Sequence, residues 1–202
     1  MPSILRAGTL LNLLLLLNAC AQNPVNSPPP VEALPAREYA QVLKKNTRKT
    51  NQYAGFHQTF QADVTRLDAE MITAILRQKA QFFEWDQRRY QAERDKAIQE
   101  GAAFAKFFVR FYAAEREYDD LDRPKSIWKV YLDYAGNRFE GKIHKMGDKL
   151  IEVQSLFPNM DRFSSPYEIT FNIPMSTLEQ GESKVTLTSS LGTAEFDFPT
   201  SR

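Results

Sequence analysis

The sequence has one cysteine, two histidines and no proline between Pro35 and Pro124. A single cysteine excludes an intramolecular disulfide framework and the zinc sites built from paired cysteines. The 26 basic and 25 acidic side chains give a net charge of +1, which excludes a strongly basic nucleic-acid binder. The chain also lacks the HExxH, GxSxG, P-loop and GxGxxG patterns. We therefore expect no cofactor and no motif-based enzyme.

The longest apolar run lies at the N-terminus. One basic residue, Arg6, precedes the stretch Leu10–Leu17, which only Asn12 interrupts. This run is far shorter than the roughly 20 residues of a permanent membrane span. A basic start, a short apolar core and small residues before a cleavage point are typical of a secretory signal. Residues 1–19 are predicted to be a signal peptide.

The signal ends in Leu17-Asn18-Ala19-Cys20, which resembles the lipobox of bacterial lipoproteins, although Asn18 is a less common residue at its position. The resemblance implies that the Cys20 thiol receives a diacylglyceryl group, that the preceding peptide is removed and that the new amino group is acylated. A thiolate is a good nucleophile for this alkylation, and several acyl chains anchor a protein stably where one is marginal. The alternatives are an ordinary cleaved signal and an uncleaved anchor.

The residue after the lipidated cysteine influences sorting in bacteria with two membranes, where aspartate favours the inner membrane. Here it is Ala21. By this analogy the protein is expected in the outer membrane, held by the diacylglyceryl and N-acyl groups of Cys20. The periplasmic side and the cell surface both stay open as its location.

Residues 20–50 are predicted to form a lipid-anchored flexible linker. Ala21–Pro35 contains five prolines, which favour an extended spacer, and a proline motif that binds a partner is the alternative. Arg37 to Lys49 carries five basic residues against one acidic residue. Such a segment can attract an anionic surface, although a solvated linker explains it as well. The candidate binding residues are Lys44, Lys45, Arg48 and Lys49.

Residues 51–202 are predicted to form a single, mostly β domain. Apolar and polar residues alternate in at least five segments, and period-two alternation is typical of an antiparallel sheet with one face on a core. Segments about ten residues apart favour a sandwich, and we expect an immunoglobulin-like one. The alternating apolar sets begin at Phe107, Trp128, Tyr167, Val185 and Ala194.

One long α-helix, from about residue 69 to 100, is predicted to be inserted after the first strand of the sandwich. Asp68 is a suitable N-cap and Gly101 a suitable stop. The apolar residues between them recur at helical spacing and include Phe82 and Phe83. Residues 53–67 fit both a strand and a helix, and the alternation favours a strand.

Four carboxylates within six residues are the strongest candidate metal site. Oxygen ligands suit calcium, although the spacing is not that of an EF-hand and basic residues flank the segment, so a polar loop is the alternative. The four residues are Glu117, Asp119, Asp120 and Asp122.

These observations predict a lipid-anchored bacterial envelope protein without enzymatic activity, serving as a binding, assembly or structural accessory component. Its expected partners are the membrane and an envelope protein, with no nucleic acid. The alternative is a periplasmic hydrolase that uses carboxylates on cell-wall or lipid material. The strand that begins near Phe107 carries apolar residues on both faces, so its second face must meet the helix or a partner.

Overall fold

The computed structural model describes residues 31–200. Signal peptide 1–19 and Cys20 lie outside these residues. The helices and strands follow one another as α1 (Ala36–Asn46), β1 (Thr47–Ala54), β2 (His57–Arg66), α2 (Ala69–Phe82), α3 (Gln87–Ala103), β3 (Ala105–Ala113), β4 (Lys129–Tyr134), β5 (Asn137–Glu140), β6 (Lys142–Lys145), α4 (Leu150–Leu156), β7 (Ser165–Phe171), α5 (Met175–Leu178), β8 (Ser183–Ser189) and β9 (Gly192–Phe198). A short 3-10 helix covers Arg116–Tyr118.

The strands form two antiparallel sheets that pack face to face. The first has the order β1-β2-β3-β7-β6 and the second β5-β4-β8-β9. The chain passes between the sheets three times, from β3 to β4, from β5 to β6 and from β7 to β8. The predicted mostly β, antiparallel, sandwich-like architecture is confirmed at this level.

The core between the sheets follows from the alternation in the sequence. In β7 every second residue from Ser165 to Phe171 is buried, and in β9 Ala194, Phe196 and Phe198 are buried. Alternate residues of a strand point to opposite faces of its sheet, so the apolar set of each strand enters the shared core. Phe107 of the first sheet contacts Phe198 of the second, with ring centroids 5.4 Å apart.

A second core lies between the first sheet and the helices. Phe108 of β3 stacks on Phe157, with ring centroids 3.6 Å apart. Around this pair lie buried residues of α1, α2 and α4, including Tyr39, Met71 and Val153. Strand β3 carries apolar residues on both faces because it separates two cores. Of the two predicted alternatives for its second face, a helix or a partner, the structure has the helical layer.

The single helix predicted for residues 69–100 is wrong, because the segment forms two helices, α2 and α3, which follow strand β2. Helix α2 ends in a Schellman motif: the N–H of Trp85 donates to the carbonyl of Ala80, and that of Glu84 donates to Gln81. Glu84 has the left-handed φ of 49° that this motif requires. Asp86 then caps α3, since its Oδ1 accepts from the N–H of Arg89 at 2.7 Å.

The predicted flexible linker over 20–50, with a domain starting at 51, also needs correction. Residues 36–50 are folded, as α1 and the first half of β1. Tyr39 and Asn46 of α1 are buried, and Val42 and Leu43 pack against the helical core. These four positions have the spacing of one helical face, so α1 belongs to the domain.

The ambiguity over residues 53–67 is resolved as a β-hairpin, since β1 ends at Ala54 and β2 begins at His57. Gly55, with a φ of 63°, lies in the turn between them. The favoured strand interpretation is confirmed. Across residues 31–200, no helix is long and apolar enough to cross a membrane.

Candidate functional site

Most side chains of the predicted basic binding segment are engaged in contacts within the domain. Its residues are Lys44, Lys45, Arg48 and Lys49. The Nζ of Lys45 lies 2.5 Å from Oε2 of Glu70 in α2, and the Nζ of Lys49 lies 3.4 Å from Oδ2 of Asp63 in β2. The Nε of Arg48 donates to the backbone carbonyl of Asp197 at 2.8 Å. Three of the four side chains therefore join α1 and β1 to neighbouring elements.

The acidic segment containing Glu117, Asp119, Asp120 and Asp122 forms a loop held by hydrogen bonds. The Asp119 carboxylate accepts from Ser165 Oγ at 2.5 Å and from Tyr167 Oη at 3.1 Å. Asp120 accepts from Ser126 Oγ at 3.0 Å. Within residues 31–200 no group of three or more His, Cys, Asp or Glu side chains could hold a metal ion. The geometry gives the calcium interpretation no support, because the Asp119 carboxylate is committed to protein donors.

Burial, together with the Asp119 carboxylate, raises the pKa of Tyr167 above its ordinary value. The phenol therefore keeps its proton at neutral pH and donates to Asp119. This is a structural contact between the loop and β7.

A second polar cluster lies on the outer face of the first sheet. The Nη2 of Arg110 lies 2.5 Å from Oδ2 of Asp161, and its Nη1 lies 3.8 Å from Oδ1 of Asp63. Asn159 Nδ2 donates to Asp63 at 3.4 Å. The cavity beside these residues measures only about 10 Å³. The cluster therefore fastens the loop after α4 to the sheet and leaves no room for a substrate.

A hydrolase that uses two carboxylates needs one of them protonated near neutral pH, hence a raised pKa. The hydrogen bond from Arg138 lowers the pKa of Asp133. Burial acts to raise the pKa of Asp161, but hydrogen bonds from Arg110 and from the N–H of Phe163 outweigh it, and the pKa is lowered. Both carboxyl groups are therefore ionised at neutral pH, as members of ion pairs with arginine, and neither has the raised pKa of a general acid.

The most distinctive surface is an apolar groove where α2 turns into α3. We call it the aromatic corner, and its central residues are Phe82, Phe83 and Trp85. The groove has a volume of about 240 Å³ and runs between this turn and α4, whose side is formed by Val153 and Leu156. Phe82 and Phe83 are 47% and 51% exposed. Two adjacent, half-exposed phenylalanines beside an apolar groove form a patch of the kind that marks interaction sites.

Trp85 holds the aromatic corner in place. Its side chain is 8% exposed, and its ring stacks near Phe83 with centroids 6.2 Å apart. The Arg89 guanidinium, in the first turn of α3, lies 4.9 Å from the centroid of the indole in a cation–π contact. The indole Nε1–H is buried with no acceptor among the described residues. Contacts of Trp85 with Phe83, at the end of α2, and with Arg89, in α3, thus hold the turn in place, while Phe82 and Phe83 remain half exposed.

Charges of both signs border the groove. Lys79 and Arg89 lie on the α2 and α3 side, and Asp148 and Glu152 lie on the α4 side. The aromatic corner therefore has an apolar centre and a rim without a dominant sign.

The first described residues run along α2 and away from the aromatic corner. We call residues 31–35 the N-terminal strap. Gln78 Nε2 donates to the carbonyl of Leu34 at 3.2 Å, and Arg77 Nε donates to that of Glu32 at 3.1 Å. Val31 packs against the cluster that contains Trp85. The polypeptide thus joins the domain beside the aromatic corner.

Two other exposed surfaces differ from the aromatic corner. The tip of the β1–β2 hairpin carries Phe56, which is fully exposed. The outer face of the second sheet is polar and carries a ladder of ion pairs, among them Lys129–Glu140 at 2.9 Å and Lys184–Glu195 at 2.8 Å. Surface ion pairs of this kind contribute little to stability, and the face has no apolar centre.

The sequence did not reveal the aromatic corner. Phe82 and Phe83 fall at helical spacing with the buried residues of α2, so the pattern places them in a core. Their exposure arises because α2 ends at Phe82. The one available signal was Asp86, a suitable N-cap in the middle of the predicted helix. A scan of known protein families, a search of curated proteins and a search of solved structures found no match to this chain.

Proposed function

We propose that this protein is a lipid-anchored component of the bacterial cell envelope that acts by binding, as an assembly or structural accessory. The anchor is Cys20, the only cysteine of the chain, at the end of Leu17-Asn18-Ala19-Cys20. Ala21 after it supports the outer membrane as the location. The acyl groups hold the protein to the membrane, and its second partner is an envelope protein.

We also propose that the sandwich is immunoglobulin-like, with β2 as strand A. In that class one sheet has the order A-B-E-D, and the other contains C, F and G with C′ beside C. The orders β2-β3-β7-β6 and β5-β4-β8-β9 correspond to these. Strand β1 is then an extra strand beside A, and α2 with α3 is an insertion between A and B. Trp128, directly before β4, is buried in the core, as is the strand C tryptophan of that class.

The observation that carries the binding role is the aromatic corner beside the N-terminal strap. Exposed apolar patches on a well-packed domain mark interaction sites. The described residues combine such a patch with carboxylates that are engaged in ion pairs and hydrogen bonds. Since fold alone does not define function, the proposal rests on this surface and on the lipobox.

Two experiments test the proposal. Cells that express the chain are labelled with radioactive palmitate, and the purified protein is expected to carry label that Cys20→Ser abolishes. An unlabelled, secreted wild-type protein would refute the anchor.

The partner is sought with a photo-crosslinking residue placed in turn at position 83 of the aromatic corner and at position 56 of the hairpin tip. A discrete protein adduct at either position, lost with Cys20→Ser, supports an envelope partner. Adducts at neither position would refute a stable protein partner at these surfaces.

A further inference from the structure

We propose that the aromatic corner docks on the lipid bilayer, so that the helical layer of the domain faces the membrane. This inference rests on the proposed acylation of Cys20. It goes further than anchoring, because it states which surface of the folded domain contacts the lipid.

The length of the tether limits which surface can do so. Ten residues, 21–30, separate Cys20 from Val31. Eleven residue steps span at most about 40 Å when fully extended and about 34 Å as polyproline. The tether ends at the N-terminal strap, where Val31 packs against the cluster that contains Trp85.

The size of the domain makes this limit decisive. A domain of about 170 residues has a radius of gyration near 15 Å, equivalent to a sphere of radius about 20 Å. The path over its surface to the opposite side is therefore about 60 Å. The outer face of the second sheet lies opposite the helical layer, with the first sheet between them. A tether of about 40 Å cannot bring that face onto the bilayer.

The chemistry of the corner suits the interfacial region of a bilayer. Phenylalanine side chains of interfacial segments insert at the boundary between headgroups and acyl chains, and Phe82 and Phe83 are half exposed and adjacent. Lys79 beside them can lay its alkyl stem along the lipid surface and place its charge among the phosphates, while Asp148 and Glu152 lie on the α4 side of the groove. Because the tether holds this surface near the lipid, a weak interfacial affinity is sufficient for docking.

The outer face of the second sheet offers the opposite chemistry, since its side chains form ion pairs such as Lys184–Glu195. The hairpin tip offers one exposed phenylalanine, Phe56, and provides the matched control for the corner.

The test uses the full chain purified from cells with its native modification. Phe83→Cys and Phe56→Cys are made separately; acylated Cys20 has no free thiol, so each protein carries one reactive thiol. Each is labelled with a nitroxide and reconstituted into vesicles of phosphatidylethanolamine and phosphatidylglycerol. Collision rates with oxygen, which concentrates in lipid, and with a water-soluble nickel complex report the depth of each label. Phe82→Cys repeats the corner measurement.

The oxygen-to-nickel collision ratio is expected to be severalfold higher at positions 82 and 83 than at position 56. Equal, water-like ratios at all three positions in protein that floats with the vesicles would overturn the docking and leave the anchor intact. A higher ratio at position 56 would overturn it in favour of the hairpin tip. Protein that carries no acyl group and does not float with vesicles would refute the proposed function, and the docking with it.

Discussion

The second core predicts a large effect of one buried ring. Phe108 is 3% exposed, and it lies under the helices with its ring stacked on Phe157 at 3.6 Å. Replacing a buried phenylalanine with alanine costs about 3–5 kcal/mol in lost transfer free energy and cavity formation. The free energy of unfolding of a domain is about 5–15 kcal/mol, so Phe108→Ala should remove a large share of it.

Urea denaturation of residues 21–202, followed by circular dichroism, measures this effect. With a slope of about 2 kcal/mol per molar urea, the midpoint should fall by about 1.5–2.5 M while the slope stays constant. Phe56→Ala is the matched control, since that ring is fully exposed and its loss should change stability by less than about 0.5 kcal/mol.

The stacked pair adds a sharper test. In a double-mutant cycle of Phe108→Ala and Phe157→Ala, the coupling energy should include about 0.5–1.5 kcal/mol from ring stacking. If Phe108→Ala cost no more than Phe56→Ala, the helical layer would not be packed on the sheet. The reasoning that places α1 in the domain would then fail.

Three further predictions concern polar groups. Tyr39→Phe should cost about 1–2 kcal/mol in urea denaturation, because the phenol donates to the buried carbonyl of Leu156 at 2.7 Å; an unchanged midpoint would contradict this contact. Asp161 has a pKa below its ordinary 3.8 and ion-pairs with Arg110, so its contribution is present above pH 4 and is lost as the pH falls through the lowered value. Asp161→Asn should therefore destabilise the protein at pH 7, by a margin that shrinks below about pH 4 in thermal melts; a margin that grows in acid would refute the ion pair. Neither added calcium nor a chelator should shift the melting temperature, because Ser165 and Tyr167 already donate to the Asp119 carboxylate of loop 117–122. A melting temperature that rises with calcium would support the metal site again.

The parts of the fold that the sequence predicted are those where one local pattern had one structural solution. Period-two alternation gives a strand with one face on a core, and the five alternating segments correspond to β3, β4, β7, β8 and β9. Asp68 as the start of the helix is also confirmed, since its carboxylate accepts from the N–H of Met71 at 2.8 Å. Both features depend on neighbours within a few residues of the chain.

The parts that were missed depend on distant partners. Helix α1 has a charged sequence, and its apolar face gains meaning only because Tyr39 reaches Leu156, far along the chain. The break between α2 and α3 has no glycine or proline to announce it, and the left-handed residue is Glu84. The ion pairs of the basic cluster could not be predicted, because its partners Glu70 and Asp63 come later in the sequence. Charge counting along a chain cannot detect such pairs.

The shortness of two border strands has a consequence for how neighbouring molecules meet. Strands β5 and β6 form one edge of each sheet, and each has only four residues. A free sheet edge can pair with the edge of another molecule. Here the edge residues are largely charged, including Arg138, Glu140, Lys142 and Lys145. Lys and Glu on such short edges oppose strand addition, so these two edges disfavour edge-to-edge pairing between neighbouring molecules.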